Sequence, residues 1–567
     1  MAVNGIQTAP INPTNSERHE MLKNSLRNAG RSEDFNNIIA LLSPPKDILN
    51  YCSPGKLKGV KIGIIGGGLA GLSSAFELRK LGANITIYDA LTDRIGGRVN
   101  TYYFDKDKKY YGELGPMRIP VAHETTWHYI NKFKLNTMPF VQDNPNAFIY
   151  VHNTRIRNDS AGKNVTEKLY PKYNLTEREK NISWPTLYNY AMNEPLNKLP
   201  ENIRKEILKI LPKYSPPYSE LINMSFRQVF EMLGLSEDAI NLISSVDSLT
   251  GASLYISYAE LLSDNYPLDF SNLYRVDGGN SNLPQAFYKS LTSEHPSEYE
   301  DIPNNLLGKV VFKSGHYVNG IYNIDKNNKV IIKYRTKLLS QDLIESFDYV
   351  ICAIPFSTLR LVDIKPLFSN RKMQAIREFN YENSQKTLLL CNRRFWEEDT
   401  DYGRINGGVS NTDLPIESII YPSDHALYDE SNKYSPKEPG VLVASYNINL
   451  DAVRLENTNK ERRKEIIKEQ VEEVHGLPKG YLDHIVEKYK TINWNNEQWF
   501  RGAFSMTRPG QKSIFLYDIL QPEYKNKVFF AGEHASATHA WMQGALYSGK
   551  LAANNLAYNY NFQKQHS

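Results

Sequence analysis

The sequence predicts an α/β chain, α+β overall, in which a discontinuous Rossmann-type domain carries a mixed-sheet substrate-binding domain and an inserted helical domain. Three observations predict it. Near the start, "VKIGIIGGGLAGLSSAFELRKLGANITIYDA" reads as strand, glycine turn, helix, strand. Near the end, "KVFFAGEHASATHAWMQGALYSGKLAANNLA" reads as strand, loop, helix. Between them, residues 155 to about 265 change to helical periodicity broken by proline and glycine, and strand-like segments return afterwards.

Taken in order, residues 1–56 form an N-terminal helical arm, with "SEDFNNIIALLSPP" ending in a proline stop. Residues 57–100, 271–356 and 500–560 make up the dinucleotide-binding domain, with strands in "KVVFKSG", "KVIIKYR" and "DYVICAIP". Residues 101–154 and 357–499 form the substrate-binding domain. The helical domain spans 155–270 and holds "ENIRKEILKILPKY", "SFRQVFEMLGLSEDAINLISSV" and "SYAELLSD". The closing "NNLAYNYNFQKQHS" reads as a frayed end, and no internal repeat is visible.

Bulk composition narrows the function. The 567 residues suffice for several domains, and 41% hydrophobic with 23% charged residues is ordinary for a globular protein. A balance of 67 basic against 63 acidic residues, with no Lys/Arg block, gives no case for nucleic acid. No run of about 18 apolar residues predicts a membrane span. The first residues show no basic head followed by an apolar stretch, so no secretory signal is expected. Cys52, Cys352 and Cys391 are too few and too far apart for a disulfide framework or a metal site. A reduced, cytoplasmic setting is expected, with no metal.

The chemistry starts at Gly66-x-Gly68-x-x-Gly71, between a strand and a helix, with Asp89 at the end of the next strand. Glycines there allow a tight turn and close approach of a pyrophosphate, which the helix N-terminus attracts, while the acid reaches a ribose hydroxyl. This fingerprint fits NAD and FAD alike. "DALTDRIGGRV" adds a second glycine turn bearing Arg94 and Arg98, placed to reach back to the same pyrophosphate. "FFAGEHAS" offers Glu533 for further cofactor hydroxyls. Nicotinamide enzymes have no evident need for either, which favours FAD.

Together "GGGLAGL", "DRIGGR", "ELGPMRIP", "VICAIP" and "FAGEHASATHAWMQGALYSG" resemble the flavin amine oxidase superfamily, and within it the L-amino acid oxidases, over about residues 57 to 556. "GPMRIP" is the most specific piece, because monoamine and polyamine oxidases lack that arginine. The resemblance implies FAD as cofactor, held by Gly66, Gly68, Leu69, Ala70, Gly71, Asp89, Ala90, Arg94, Gly97 and Arg98 of the first segment. Gly115, Pro116, Met117, Arg118, Val318 and Trp494 would add to it, with Gly532, Glu533, Ala540, Trp541, Met542 and Ala545 from the last. Arg118 would pair with a substrate α-carboxylate, helped by Tyr421 in "SIIYPSD". Lys386 in "NSQKTLLL" matches a lysine that holds a water near flavin N5. Trp541 would wall the site, and the Ala540 carbonyl would receive the amine. Lys386, Arg118, Tyr421 and Trp541 are therefore the expected catalytic set.

One departure stands out. The family's histidine, a proposed base, falls at Asp264 or Asn265, and His539 is no obvious replacement. Asp264 is a candidate to face a basic substrate side chain, whereas the apolar "HAWMQGAL" favours large hydrophobic ones. The resemblance implies oxidative deamination of an L-α-amino acid by hydride transfer to flavin N5, giving a 2-oxo acid, ammonia and H2O2. A decarboxylating amino acid monooxygenase is the nearest rival; a polyamine oxidase or a non-catalytic flavoprotein ranks lower. The expected partners are an L-amino acid and O2, in a homodimer or higher homo-oligomer.

Overall fold

The computed structural model describes residues 9–324, 329–336, 341–426 and 435–565. Its central sheet has five strands, in the order Val310–Ser314, Asn84–Asp89, Lys61–Ile65, Tyr349–Cys352, Val528–Phe530. All neighbours run parallel. Helices such as Leu69–Arg79 cover one face and the four-stranded sheet of Leu343–Phe347, Val330–Thr336, His316–Tyr322 and Asp363–Lys365 covers the other, so the strands are buried on both sides and read as continuous apolar runs. Segments from both ends of the chain meet here, as the sequence requires.

The helix Leu69–Arg79 is buried along its whole length. It packs against the C-terminal helix Met542–Gln565, with backbones close enough to exclude side chains. Ser74 Oγ donates to the Gly549 carbonyl at 2.8 Å, and a Cβ on Gly549 would stand 2.1 Å from Ser73 Oγ. The last helix corrects the expectation of a frayed end. Leu556, Ala557 and Tyr560 are buried, and Asn554 and Asn561 donate to the carbonyls of Lys46 and Tyr51 in the N-terminal arm. Asn554 and Asn561 are anchors to that arm.

A second sheet has seven strands, ordered Val486–Asn493, Ser384–Cys391, Gly440–Ile448, Ser418–Tyr421, Gly408–Thr412, Phe148–Val151, Thr154–Arg157. It is mixed, because Gly408–Thr412 runs parallel to Phe148–Val151. The hairpin of Phe148–Val151 with Thr154–Arg157 keeps the chain in this sheet past the expected boundary at 155. Helices then run from Lys163–Lys168 to Tyr258–Asn265. The N-terminal arm contributes the helices Asn15–Asn28 and Phe35–Leu42, and buried Arg18 ties it down by donating to the Val121 carbonyl and Glu124. The three cysteines are free and buried. Among the described residues no helix is long and apolar enough to cross a membrane, and no group of three His, Cys, Asp or Glu side chains is placed to hold a metal.

Candidate active site

The glycine turn after Lys61–Ile65 is dictated sterically. Gly66 sits at φ +107, and a Cβ there would stand 2.9 Å from the Ala353 carbonyl. A Cβ on Gly71 would meet the Gly66 carbonyl at 2.0 Å, so Gly71 serves the packing of helix on turn and does not face the cavity. Gly68 caps the helix without any side chain, which leaves its first N–H groups open to an anion. The second turn lies on the first: Gly96 bridges Gly68, and a Cβ on Gly97 would come 3.2 Å from Gly68 Cα. Arg94 holds this turn by donating to the carbonyls of Gly97 and Val99. It is a brace behind the cradle and does not line it, contrary to expectation.

Asp89 ends its strand with both oxygens engaged, accepting from Gly67 N at 3.0 Å and Leu91 N at 2.8 Å. Burial pushes its carboxyl up to about 6. Arg98 donates to the Ala503 carbonyl at 2.9 Å and to Glu533 at 3.0 Å. Glu533 also accepts from Ser505 Oγ at 2.6 Å and from Ala540 N at 3.1 Å. Burial opposes its charge, yet Arg98, His539, His534 and Ser505 hold it below the usual carboxylate range. One ion pair thus ties the second glycine turn to the last loop of the chain.

A cavity of about 920 Å³ runs from Asp89 past these turns. Ala90 and Val318 line it beside Asp89, and Leu69 and Ala70 line it at the helix start. Gly115, Pro116, Met117, Trp494 and Gly532 line its middle, with Met542 and Ala545 on the C-terminal helix. Arg118, Lys386, Ala540 and Trp541 stand at the other end. Ala540 adopts φ +63, a left-handed conformation that a side chain resists, and it turns the chain between His539 and Trp541.

Arg118 donates from Nε to Gln142 Oε1 at 2.7 Å and lies between two rings, 5.2 Å from Phe140 and 5.9 Å from Phe270. No carboxylate forms an ion pair with it among the described residues, and burial lowers its pKa. A guanidinium held in this way is short of an anion. Lys386 donates to the Gly115 carbonyl at 2.5 Å and sits 4.5 Å from the Tyr446 ring. Burial, then neighbouring Arg118, pushes Lys386 down to about 7. Behind it Glu113, accepting from Asn280 N and the Thr101 hydroxyl, is pushed up to about 7 by burial.

Tyr421 is a correction. It projects from the opposite face of the seven-stranded sheet, where its hydroxyl meets Ser410 Oγ and His475 Nε2, both at 2.8 Å, inside an apolar cluster with no access to the cavity. The tyrosine that lines the cavity beside Lys386 is Tyr446; Tyr88, Tyr188 and Tyr317 line it elsewhere. Antiparallel register pairs it directly with Lys386, and Arg118 acts on its hydroxyl. The signal that could have found it is that pairing, which sequence alternation alone does not show. Trp541 is fixed by its indole N–H, which donates to Asp264 at 2.9 Å, and by the ring of His123 at 5.0 Å.

Comparison with known proteins decides the family. Residues 69–557 match the model of the flavin containing amine oxidoreductases. The chain belongs to that family. It is 30% identical to the L-amino-acid oxidase of Siganus canaliculatus, over 87% of this chain and 84% of that one. The L-amino-acid oxidase of Pseudechis australis is 27% identical over 88% of this chain and 86% of its own. Among solved structures, cyclohexylamine oxidase of Brevibacterium oxydans superposes with a TM-score of 0.63 at 16% identity, covering 90% of this chain and 100% of that one. A putrescine oxidase bound to putrescine gives 0.61 at 17%, covering 87% and 98%. At such identities these two show the fold.

The protein is an FAD-dependent oxidoreductase. Its residues fit the cofactor. The uncapped helix start at Gly68 and the Cβ-free surfaces of Gly68 and Gly97 form a cradle for a diphosphate, and Asp89 closes the end where a ribose would lie. At the opposite end of this oxidoreductase no histidine lines the cavity among the described residues; His316 lies beside the Asp89 end. His539 is occupied by buried Glu260, at 3.0 Å, and His123 by Asp269, at 3.0 Å. Asp264 and Asn265 do line the cavity where the family's histidine was expected.

Proposed function

We propose that this oxidoreductase deaminates L-α-amino acids oxidatively, converting amino acid, O2 and water to 2-oxo acid, ammonia and H2O2. The observation that carries the reading is Arg118: a guanidinium lining the cavity, aligned by Gln142 and two phenyl rings, with no carboxylate in ion-pair contact among the described residues. A planar α-carboxylate matches that fork. The relatives named L-amino-acid oxidases support it.

FAD held in this cradle would supply a two-electron acceptor for the substrate α-C–H and a route for those electrons to O2. The chain's own residues orient and exclude. Arg118 and the Tyr446 hydroxyl hold the carboxylate, which fixes the α-carbon; such positioning is worth up to several orders of magnitude in effective concentration. The Ala540 carbonyl accepts from the amine, which has to shed one proton to donate its electron pair. The aromatic wall of Trp541 and Phe270 keeps bulk water off the reacting carbon. Lys386 Nζ, anchored on Gly115, can hold a water and exchange a proton near neutral pH.

The test is stoichiometry on the purified FAD-loaded protein. One H2O2 and one 2-oxo acid per O2 consumed is the expected outcome. An amide and CO2 in place of peroxide would establish the monooxygenase reaction instead.

A further inference from the structure

The substrate end of the cavity carries two acids that form no ion pair among the described residues. Asp143 directly follows Gln142, whose side-chain oxygen aligns Arg118, and Asp247 caps the helix Ser248–Ser253; both line the cavity. Asp143 has no hydrogen-bond or ion-pair partner for its carboxylate among the described residues. Asp143 exposes its side chain to the cavity; the surrounding protein raises its pKa, Arg118 lowers it, and Asp247 adds to the rise. Asp247 accepts from the hydroxyls of Tyr188 and Thr250, which are neutral. Arg118 is thus the basic side chain that compensates Asp143 among the described residues. Once an α-carboxylate pairs with Arg118, that compensation is spent and the acids are left facing one another.

A substrate carrying its own cation restores the balance. We propose that Asp143 and Asp247 bind the cationic end of the substrate side chain, so that the preferred substrates are basic L-α-amino acids of the lysine, ornithine or arginine kind. This rests on the reading that Arg118 holds the α-carboxylate. Met192 and Val246, from the same helical segment, supply apolar wall for a methylene stem. Asp264, the acid that the sequence suggested for this role, has an oxygen taken by the Trp541 indole and belongs to the aromatic wall.

The experiment compares L-lysine with L-norleucine, which has the same carbon chain without the ammonium, on the FAD-loaded enzyme. The wild type is expected to show kcat/KM at least about ten-fold higher for lysine, as a site with charged groups placed for a substrate cation rejects an analogue lacking it. Asp143→Asn and Asp247→Asn should each lower the lysine-to-norleucine ratio about ten-fold or more. Asparagine keeps the cap of the helix Ser248–Ser253, so the second variant should fold. Norleucine turned over as well as lysine by the wild type, or variants that slow both substrates in proportion, would overturn the inference while leaving the oxidase reading intact. No turnover of any α-amino acid would overturn that underlying reading.

Discussion

Arg118 shows how a single side chain can carry a functional argument. Burying a guanidinium without a carboxylate in ion-pair contact is costly, and the chain retains one between Phe140 and Phe270. Arg118→Ala should lower kcat/KM for amino acids by about 10²-fold or more, the scale for truncating one partner of a buried charge pair. The two tyrosines separate cleanly. Tyr446→Phe should raise KM for the carboxylate-bearing substrate, whereas Tyr421→Phe, which unpairs buried Ser410 and His475, should cost about 1–3 kcal/mol of stability with KM unchanged. An increased KM in Tyr421→Phe would contradict the placement. Burial pushes Lys386 down and Glu113 up, each to about 7. The rate should therefore rise through a step near pH 7 that Lys386→Met removes. Glu113 is raised from 4.5, so its contribution to stability is present below that value and lost as pH rises through about 7. Melting temperatures of Glu113→Gln should accordingly fall less between pH 4.5 and 7 than those of the wild type.

At the scale of elements, the glycine turns were the most legible part of the sequence, because their spacing reflects steric need. A Cβ at Gly66 is forbidden by both φ and the Ala353 carbonyl. Gly66→Ala should yield protein that elutes without bound FAD, seen as lost flavin absorbance; full retention of flavin would show that the cradle is misplaced. Strands were less legible as partners than as strands. "SIIYPSD" and "VASYNI" both offer a tyrosine, and only the register of Ser384–Cys391 with Gly440–Ile448 says which one faces the cavity. The C-terminal helix was misread for a related reason. The closing segment reads as a frayed end until the arm that Asn554 and Asn561 bind is folded against it.

Across the whole molecule, the cofactor cradle is closed by an ion pair between Arg98 and Glu533, residues from opposite ends of the chain. The sequence displayed both segments, and the resemblance joined them. What stayed hidden was the substrate end, which draws on loops and helices far apart in sequence, such as Gln142, Asp247 and Tyr446. Coupling of fold and cofactor predicts that added FAD raises the melting temperature of stripped protein in a concentration-dependent way, by roughly RT ln(1 + [L]/Kd). The most direct measurement for the central claim is a coupled peroxide assay over the twenty L-amino acids, putrescine and tyramine, with wild type and Arg118→Ala. Peroxide from α-amino acids alone, lost in the variant, is the predicted result. Peroxide from the amines, undiminished in Arg118→Ala, would contradict it and leave Arg118 without a carboxylate to bind.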